Sequence, residues 1–517
     1  MTQPAAPEPH VDVDAVAGAL QPAFRVLPGA SRQQARVCLD TFDWRLHRRK
    51  LSCQIIGTGT GRILVLDAAD GLRLQAPLPA GVRTPLRLSD IPAGPVHERL
   101  AEVIDVRALL PRVYVEASVR EVRVLDDVDK TVVRLDVESA TAALRRGDAA
   151  VLVPTSVHLH PVRGYEAHAR SVAAALHGAG IRVSTESLAY EAVGLTPGQT
   201  PGTADPRPTP HMAAPVAVAS VLRAFLDEIE ANVPGAIADI DVEFVHDLRI
   251  SVRRSRSALK LAGDVLPSGT AERFGGELKW LGDVTTPVRD LDVHLLDLPK
   301  LAGRLEAFSP GDLDAFGEHL ARHRRGEVKA MAQALSSRRY QTFVRSWRGL
   351  LDAVVAGRSF ATAGVLGVSV GRLAATRVAR ADRRVVKLGR QITPQSPAED
   401  LHTLRKRAKE LRYVLDLFAA VLDPAKVKPL IAELKALQDV LGAFQDSEVQ
   451  REALRRFAGE MVAEASKVPV DTLLALGELA THLEVDQRRA RGHFDERFAA
   501  FMRPVVRRHV EALGVTT

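Results

Sequence analysis

His246, Arg249, Arg253, Arg256 and Lys260 follow one another at intervals of three or four residues in "VHDLRISVRRSRSALK". His402, Arg405, Lys409 and Arg412 repeat the spacing in "LHTLRKRAKELR". At 100° per residue the first set falls within an arc of roughly 80°, with Leu248, Val252 and Leu259 nearly opposite. In the second stretch Leu404, Ala408 and Leu415 form the back. Each stretch therefore reads as a helix that buries one stripe and presents a row of cations about 4.5–6 Å apart. Such a row suits an extended chain of phosphates better than a single small anion. A lone basic helix face is usually just solvated. Here the pattern recurs with its histidine, and acids at i+4 on the same face are mostly missing, so ion-pair lacing does not account for it. A histidine beside a polyanion gains a proton and becomes a further contact.

The two stretches belong to a longer internal repeat. Aligning His246 with His402 sets an offset that also aligns "ELKWLGDVTTPVRDLDV" with "ELKALQDVLGAFQDSEV" without a gap. Lys279 and Lys435, Asp283 and Asp439, and Asp290 and Asp446 coincide, while Arg289 becomes Gln445. Lys279, Lys435 and Arg289 join the candidate anion ligands. Asp290 and Asp446 are candidates for orienting a histidine or arginine, a carboxylate being a poor neighbour for phosphate. Each repeat is expected to hold about four helices: the histidine helix, the "ELK" helix, and segments such as "DAFGEHLARHRRGEVKAMAQAL" and "YQTFVRSWRGLLDAVV". The further basic segments "ARHRRGEVK" and "RVARADRRVVKLGR" have mixed faces.

The rest of the chain must position these rows. With 517 residues, more than one domain is expected. Residues 194–215, "GLTPGQTPGTADPRPTPHMAAP", are dense in Pro, Gly and Thr and read as a linker. Residues 1–193 carry short β-branched runs, such as "KLSCQII", "RILVLDA" and "TVVRLDVES", and predict an antiparallel β domain with a few helices, one being "YEAHARSVAAALHGAG". Residues 216–517 have helical periodicity and predict two pseudo-symmetric four-helix bundles, from repeats of about 216–365 and 366–517. The expected class is multidomain α+β. Net charge is +7, and mean hydropathy is −0.02 with no long apolar run. A transmembrane helix is not expected. The N-terminus lacks the charged and apolar regions of a secretory signal, which makes the cytoplasm the expected location. Two cysteines, Cys38 and Cys53, are too few for a disulfide framework.

From about Val216 onward the chain resembles a CHAD domain, the conserved-histidine α-helical domain. The doubled "HDLRISVRRSR" and "HTLRKRAKELR" match that family's histidine–arginine helices, and "LGDVTTPVRDLDV" is similar to its "L-G-x-x-R-D-x-D-V" segment with altered spacing. The resemblance implies two four-helix bundles around a basic channel, binding of inorganic polyphosphate, and association with polyphosphate granules and their proteins. It places the contacts on His246, Arg249, Arg253, Arg256, His402, Arg405, Lys409 and Arg412.

The first half resembles, more faintly, a CYTH domain, the triphosphate tunnel fold, through "VCLDTFDWRLHRRKLSCQII". That resemblance implies a β-tunnel with acidic residues for Mg²⁺ or Mn²⁺ and basic residues for the triphosphate. The charges are largely missing. Asp12 and Asp14 stand where acids are wanted, but Val16 replaces a lysine, and Gln54, Ile56 and Gln75 occupy positions expected to be basic. Only Asp136 and Glu138 keep an alternation that puts two carboxylates on one sheet face, and they are the metal candidates. A barrel with few catalytic charges is expected to be inactive. No P-loop, "HExxH" or "GxSxG" motif is present, and "GTGTGR" from Gly57 reads as a hairpin turn.

These readings converge on a polyphosphate-binding protein without a required cofactor and without a membrane partner. The alternatives are a metal-dependent triphosphatase or polyphosphatase of the tunnel type, and a non-specific nucleic-acid binder. Aromatic residues at 4% disfavour the last by leaving few stacking platforms.

Overall fold

The computed structural model describes residues 13–513 except 22, 59–60, 70, 182, 184–186, 203–205, 359–366 and 465–466. The chain divides into two compact units, Met1–Pro201 and Gly202–Thr517.

The first unit begins with a short helix, α1 (Val13–Leu20), followed by β1 (Arg25–Asp40), α2 (Arg45–Arg48), β2 (Leu51–Thr58), β3 (Gly61–Ala68), β4 (Arg73–Leu78), α3 (Pro95–Ile104), β5 (Leu110–Leu125), β6 (Thr131–Ala143), β7 (Val151–Pro161), α4 (Glu166–Gly178) and α5 (Ser187–Ala192). The seven strands form one antiparallel sheet in the order β4-β3-β2-β1-β5-β6-β7. This is compatible with a tunnel of the CYTH type. One apolar face packs on helices: Val133, Leu135, Val137 and Val157 meet α1 and α4, while Leu39, Cys53, Ile55, Leu64 and Leu66 meet α3. Alternation then turns Arg32, Arg36, Asp136 and Glu138 to the other face. Asp40, buried, explains the "DT" turn: its carboxylate accepts from the backbone N–H groups of Thr41, Leu46 and His47 at 2.7–3.0 Å and so holds α2 in place. Cys38 and Cys53 are buried free thiols. Thr58 pairs with Gly61 across β2 and β3. The hairpin turn read from "GTGTGR" lies at 59–60, outside the described residues.

The second unit is helical. Its elements are α6 (Ala214–Ile237), α7 (Val242–Ala262), α8 (Thr270–Ala302), α9 (Asp314–Leu335), α10 (Arg338–Val355), α11 (Val370–Gly389), α12 (Ala398–Leu417), α13 (Pro424–Glu464), α14 (Val470–Gly492), α15 (Phe494–Phe501) and α16 (Pro504–Leu513). The 156-residue offset that aligns His246 with His402 maps this whole series onto itself. Ala214 and Val370, Val242 and Ala398, and Asp314 and Val470 are each 156 apart at helix starts. The four helices anticipated in the first repeat are α7 to α10, and α6 precedes them. In the second repeat the counterpart of α10 is divided by Pro504, which starts α16 where its missing N–H costs nothing. Ala214 and Pro215, read as linker, form the first turn of α6, and the expected repeat boundary at 365/366 lies outside the described residues.

Caps delimit the helices as the sequence allows. Asp241 accepts from Glu243 N–H at 3.0 Å to start α7, and Ser337 and Ser369 cap α10 and α11. The fully buried Trp347 lies 4.3 Å from Phe274, ring centre to ring centre, and ties α10 to α8. The repeats join in two places. α7 packs on α12 and α6 on α11; a shared core of Leu291, Phe316, Leu320, Phe457, Met461 and Leu479 links α8 and α9 to α13 and α14.

Candidate anion-binding surface

α7 and α12 carry the two cation rows, and their packing decides whether the rows meet. Leu248, Val252 and Leu259 are buried on α7, as are Leu404, Ala408 and Leu415 on α12. Arg253, Arg256 and Lys260 are exposed, and His246 and Arg249 are half-buried. The Arg253 guanidinium carbon lies 5.8 Å from the centre of the Tyr413 ring on α12. Lys409 has its pKa lowered by desolvation, then by the charges of Arg405 and Arg253, with Asp446 opposing. A cation of the first repeat, Arg253, therefore stands near one of the second, Lys409, which also feels Arg405 of its own helix. Lys260 and Lys409 also share a cleft of about 370 Å³ with Lys406, Arg407, Glu410 and Tyr413.

In the first repeat, His246 has its pKa lowered by burial and by Arg289, with Arg253 adding a smaller contribution in the same direction. Arg249 donates to Gly282 O, Thr285 Oγ1 and Thr286 Oγ1 on α8 at 3.1, 3.3 and 2.6 Å. Those three acceptors fix its position without neutralising it. Arg289 Nη1 is buried and has no hydrogen-bond partner. Desolvation raises the Asp290 carboxyl above its usual value, while Arg249, His294 and Arg456 pull it down. In the second repeat, Arg405 donates to Asp446 at 2.7 Å, and His402 Nδ1 contacts Gln445 Oε1. The repeat is thus chemically uneven: a histidine beside arginine in one half, and beside glutamine in the other.

The remaining candidates separate from this group. Lys279 is paired with Asp283 at 2.7 Å and Arg412 with Asp416 at 3.0 Å, each an exposed or half-exposed i,i+4 pair. The expectation that such acids are mostly missing from the two cation rows fails at Arg412, where Asp416 falls inside the arc at the position that Lys260 holds in the first repeat; Lys279 and Asp283 lie on α8, outside those rows. Arg256 lies over Gly282, where a Cβ would meet its Nη1 at 3.3 Å. Lys435 is exposed on α13. Arg456 and His294, facing Asp290, were not singled out from the sequence. The repeat offset pairs Lys300 with Arg456, a signal that extending the alignment beyond "SEV" reveals.

In the first unit, Asp136 bonds Arg32 at 2.8 Å and has His160 at 3.6 Å. Glu138, 5% exposed, pairs with Arg36 through both oxygens and has His158 at 3.7 Å. Both Glu138 oxygens and Asp136 Oδ2 are thus engaged by arginines of β1. Asp14 sits exposed in the first turn of the helix α1. Asp12 lies outside the described residues. A cavity of about 900 Å³ borders this sheet, with Arg36, Arg62, Arg145 and Glu116 among its lining groups.

A duplicated helical unit whose repeats place cation rows against each other is the class this geometry defines. Residues 220–455 match the family model of the CHAD domain, and this part of the chain is a CHAD domain, of a family linked to polyphosphate binding or metabolism. The "uncharacterized protein Rv2226" of Mycobacterium tuberculosis H37Rv is 33% identical over 223 residues, 41% of this chain and 39% of that protein. The MT2285 protein of M. tuberculosis strain CDC 1551 matches to the same extent. The chain spans about two fifths of the length of these curated relatives. Among solved structures, the CHAD domain of the plant Ricinus communis is similar at 23% identity and TM-score 0.46, covering 57% of this chain and 93% of that one. PptA from Streptomyces chartreusis is similar at 17% identity and TM-score 0.43, with 55% and 99% covered. Among the described residues, no helix is long and apolar enough to cross a membrane.

Proposed function

We propose that the helical unit binds inorganic polyphosphate along the surface where α7 meets α12, and that this docks the protein at polyphosphate granules. The observation that carries the reading is the contact of Arg253 on α7 with Tyr413 on α12, at 5.8 Å, which brings its charge to Lys409, itself partly desolvated beside Arg405. A polyanion laid over them replaces repulsion by charge-assisted hydrogen bonds and displaces the counterions each partner held. His246, Arg249, Arg253, Arg289, His402, Arg405 and Lys409 make the contacts. Lys260 and Arg256 extend them along α7, and Lys279, Arg412 and Lys435 lie at the margin. Asp446 orients Arg405, and Asp290 steadies the first-repeat cations around it.

The test is titration of the full chain with polyphosphate of defined length at several salt concentrations. Tight binding that weakens steeply with salt and is not displaced by equal phosphate of duplex DNA supports the reading. Binding that ignores salt, or equal displacement by DNA, overturns it. Co-localisation of the labelled chain with stained granules tests the docking.

A further inference from the structure

Outside the cation rows, α9 places His319 and His323 one turn apart, and the last residue of α13, Glu464, comes to meet them. One ligand atom from each lies within 4.8 Å of the other two. His323 Nε2 is 3.1 Å from Glu464 Oε2, and His319 Nδ1 is 3.8 Å from the same oxygen. Ligands at about 2.0–2.1 Å from a tetrahedral ion stand about 3.3 Å apart, so small rotamer changes bring the three atoms to coordination distance. Histidines at i and i+4 share a helix face by construction.

His319 provides the second, independent observation. It is 2% exposed, yet its Nε2 has no hydrogen-bond partner. A buried polar atom left so is costly. Arg322 donates to Nδ1 at 3.1 Å, which puts the ring proton on Nε2. That Nε2 stands 3.7 Å from the Glu460 carboxylate. Binding of an ion at Nδ1 leaves the proton on Nε2 and aims it at Glu460, the carboxylate–histidine–metal arrangement that orients and strengthens a histidine ligand. Arg322 is 57% exposed and free to swing into solvent as an ion takes its place between Nδ1 and Glu464.

We propose that His319 Nδ1, His323 Nε2 and Glu464 form a binding site for a borderline transition-metal dication such as Zn²⁺, with Glu460 holding His319 and a fourth position left to water. Two imidazoles and one carboxylate suit Zn²⁺ or Co²⁺ rather than Mg²⁺ or Ca²⁺. The ligands come from both repeats, so the ion clasps α9 to the end of α13. This site is separate from the polyphosphate reading and stands or falls without it.

The experiment is titration of the untagged full chain with Zn²⁺, and with Co²⁺ read by its visible d–d absorption. One equivalent per chain, tetrahedral-type Co²⁺ bands, and a thermal midpoint raised by Zn²⁺ are expected. His323→Ala and Glu464→Gln, at side chains 34% and 43% exposed, spare the core and should weaken binding at least about tenfold. Glu460→Gln should weaken it about tenfold by releasing His319. Stoichiometric binding unchanged in His323→Ala and Glu464→Gln would overturn the site, as would no Zn²⁺ binding by the folded wild-type chain.

Discussion

The Arg253 guanidinium of the first repeat sits 5.8 Å from the centre of the Tyr413 ring of the second, and from there its charge reaches Lys409. Two helices that carry the same motif 156 residues apart are thereby made into one surface.

Arg253→Ala and Lys409→Ala should each weaken polyphosphate binding and flatten its salt dependence. By analogy with nucleic acids, each lost phosphate contact reduces the slope of log affinity against log salt by roughly 0.7–0.9. The double variant should fall short of the sum, since each removal also relieves repulsion on the other. Fluorescence anisotropy with labelled polyphosphate at graded salt measures both. An unchanged slope in the double variant would place the ligand elsewhere.

Burial and Arg289 hold His246 below its ordinary pKa of 6.5, so the free imidazole is neutral at neutral pH. Phosphate beside it favours the charged form, so binding takes up a proton. Affinity should then rise as pH falls through the raised pKa of the complex and level off below the depressed pKa of the free protein. Without ligand the sign reverses. The unfolded chain holds that proton better, so this residue makes the fold less stable as pH drops below about 6.5. Calorimetry in two buffers of different ionisation heat should show proton uptake that is smaller in His246→Gln.

Arg324 donates to both oxygens of Asp239, at 2.7 and 2.9 Å, and through Nε to Asp292, which is 1% exposed. Arg324→Ala leaves a buried carboxylate without its cation and should cost about 3–5 kcal/mol in denaturant unfolding. Arg324→Lys keeps the charge but not the fork, and should recover only part of that.

Gly235 of α6 lies flat against Phe244, whose ring atoms would be 2.3–2.5 Å from an added Cβ. Phe244 is 2% exposed and cannot yield. Gly235→Ala should therefore destabilise the helical unit by about 1–3 kcal/mol, despite alanine's better helix propensity. A raised thermal midpoint would show that the two helices separate more easily than their packing implies.

The helical unit was legible because its code is local. A cation every third or fourth residue, backed by leucine, states a helix and its exposed face, and a gapless offset states the duplication. What stayed hidden depends on residues distant in sequence. Asp446 is readable as a residue that orients a histidine or arginine, but its partner Arg405 emerges only with α12 laid on α13, and Glu464 meets His323 across 141 positions of chain. Asp14 is matched to the tunnel family by residue type alone, whereas the alanines and the burial of Val13, Val16, Ala17 and Leu20 on one side make "VDAVAGAL" a helix. Asp136 and Glu138 were correctly placed together on one face, but Arg32 and Arg36, which occupy them, come from β1 a hundred residues earlier.

The repetition of the helix series also bears on direction. A phosphate chain reads the same from either end, and a surface built from two copies of one motif presents nearly the same sequence of contacts to both polarities. If polyphosphate is the ligand, as proposed above, it would be able to seat either way round and shift by one phosphate while exchanging equivalent contacts. The histidine–arginine half and the histidine–glutamine half differ by one charge, which would bias that exchange toward one orientation without abolishing lateral travel along the polymer.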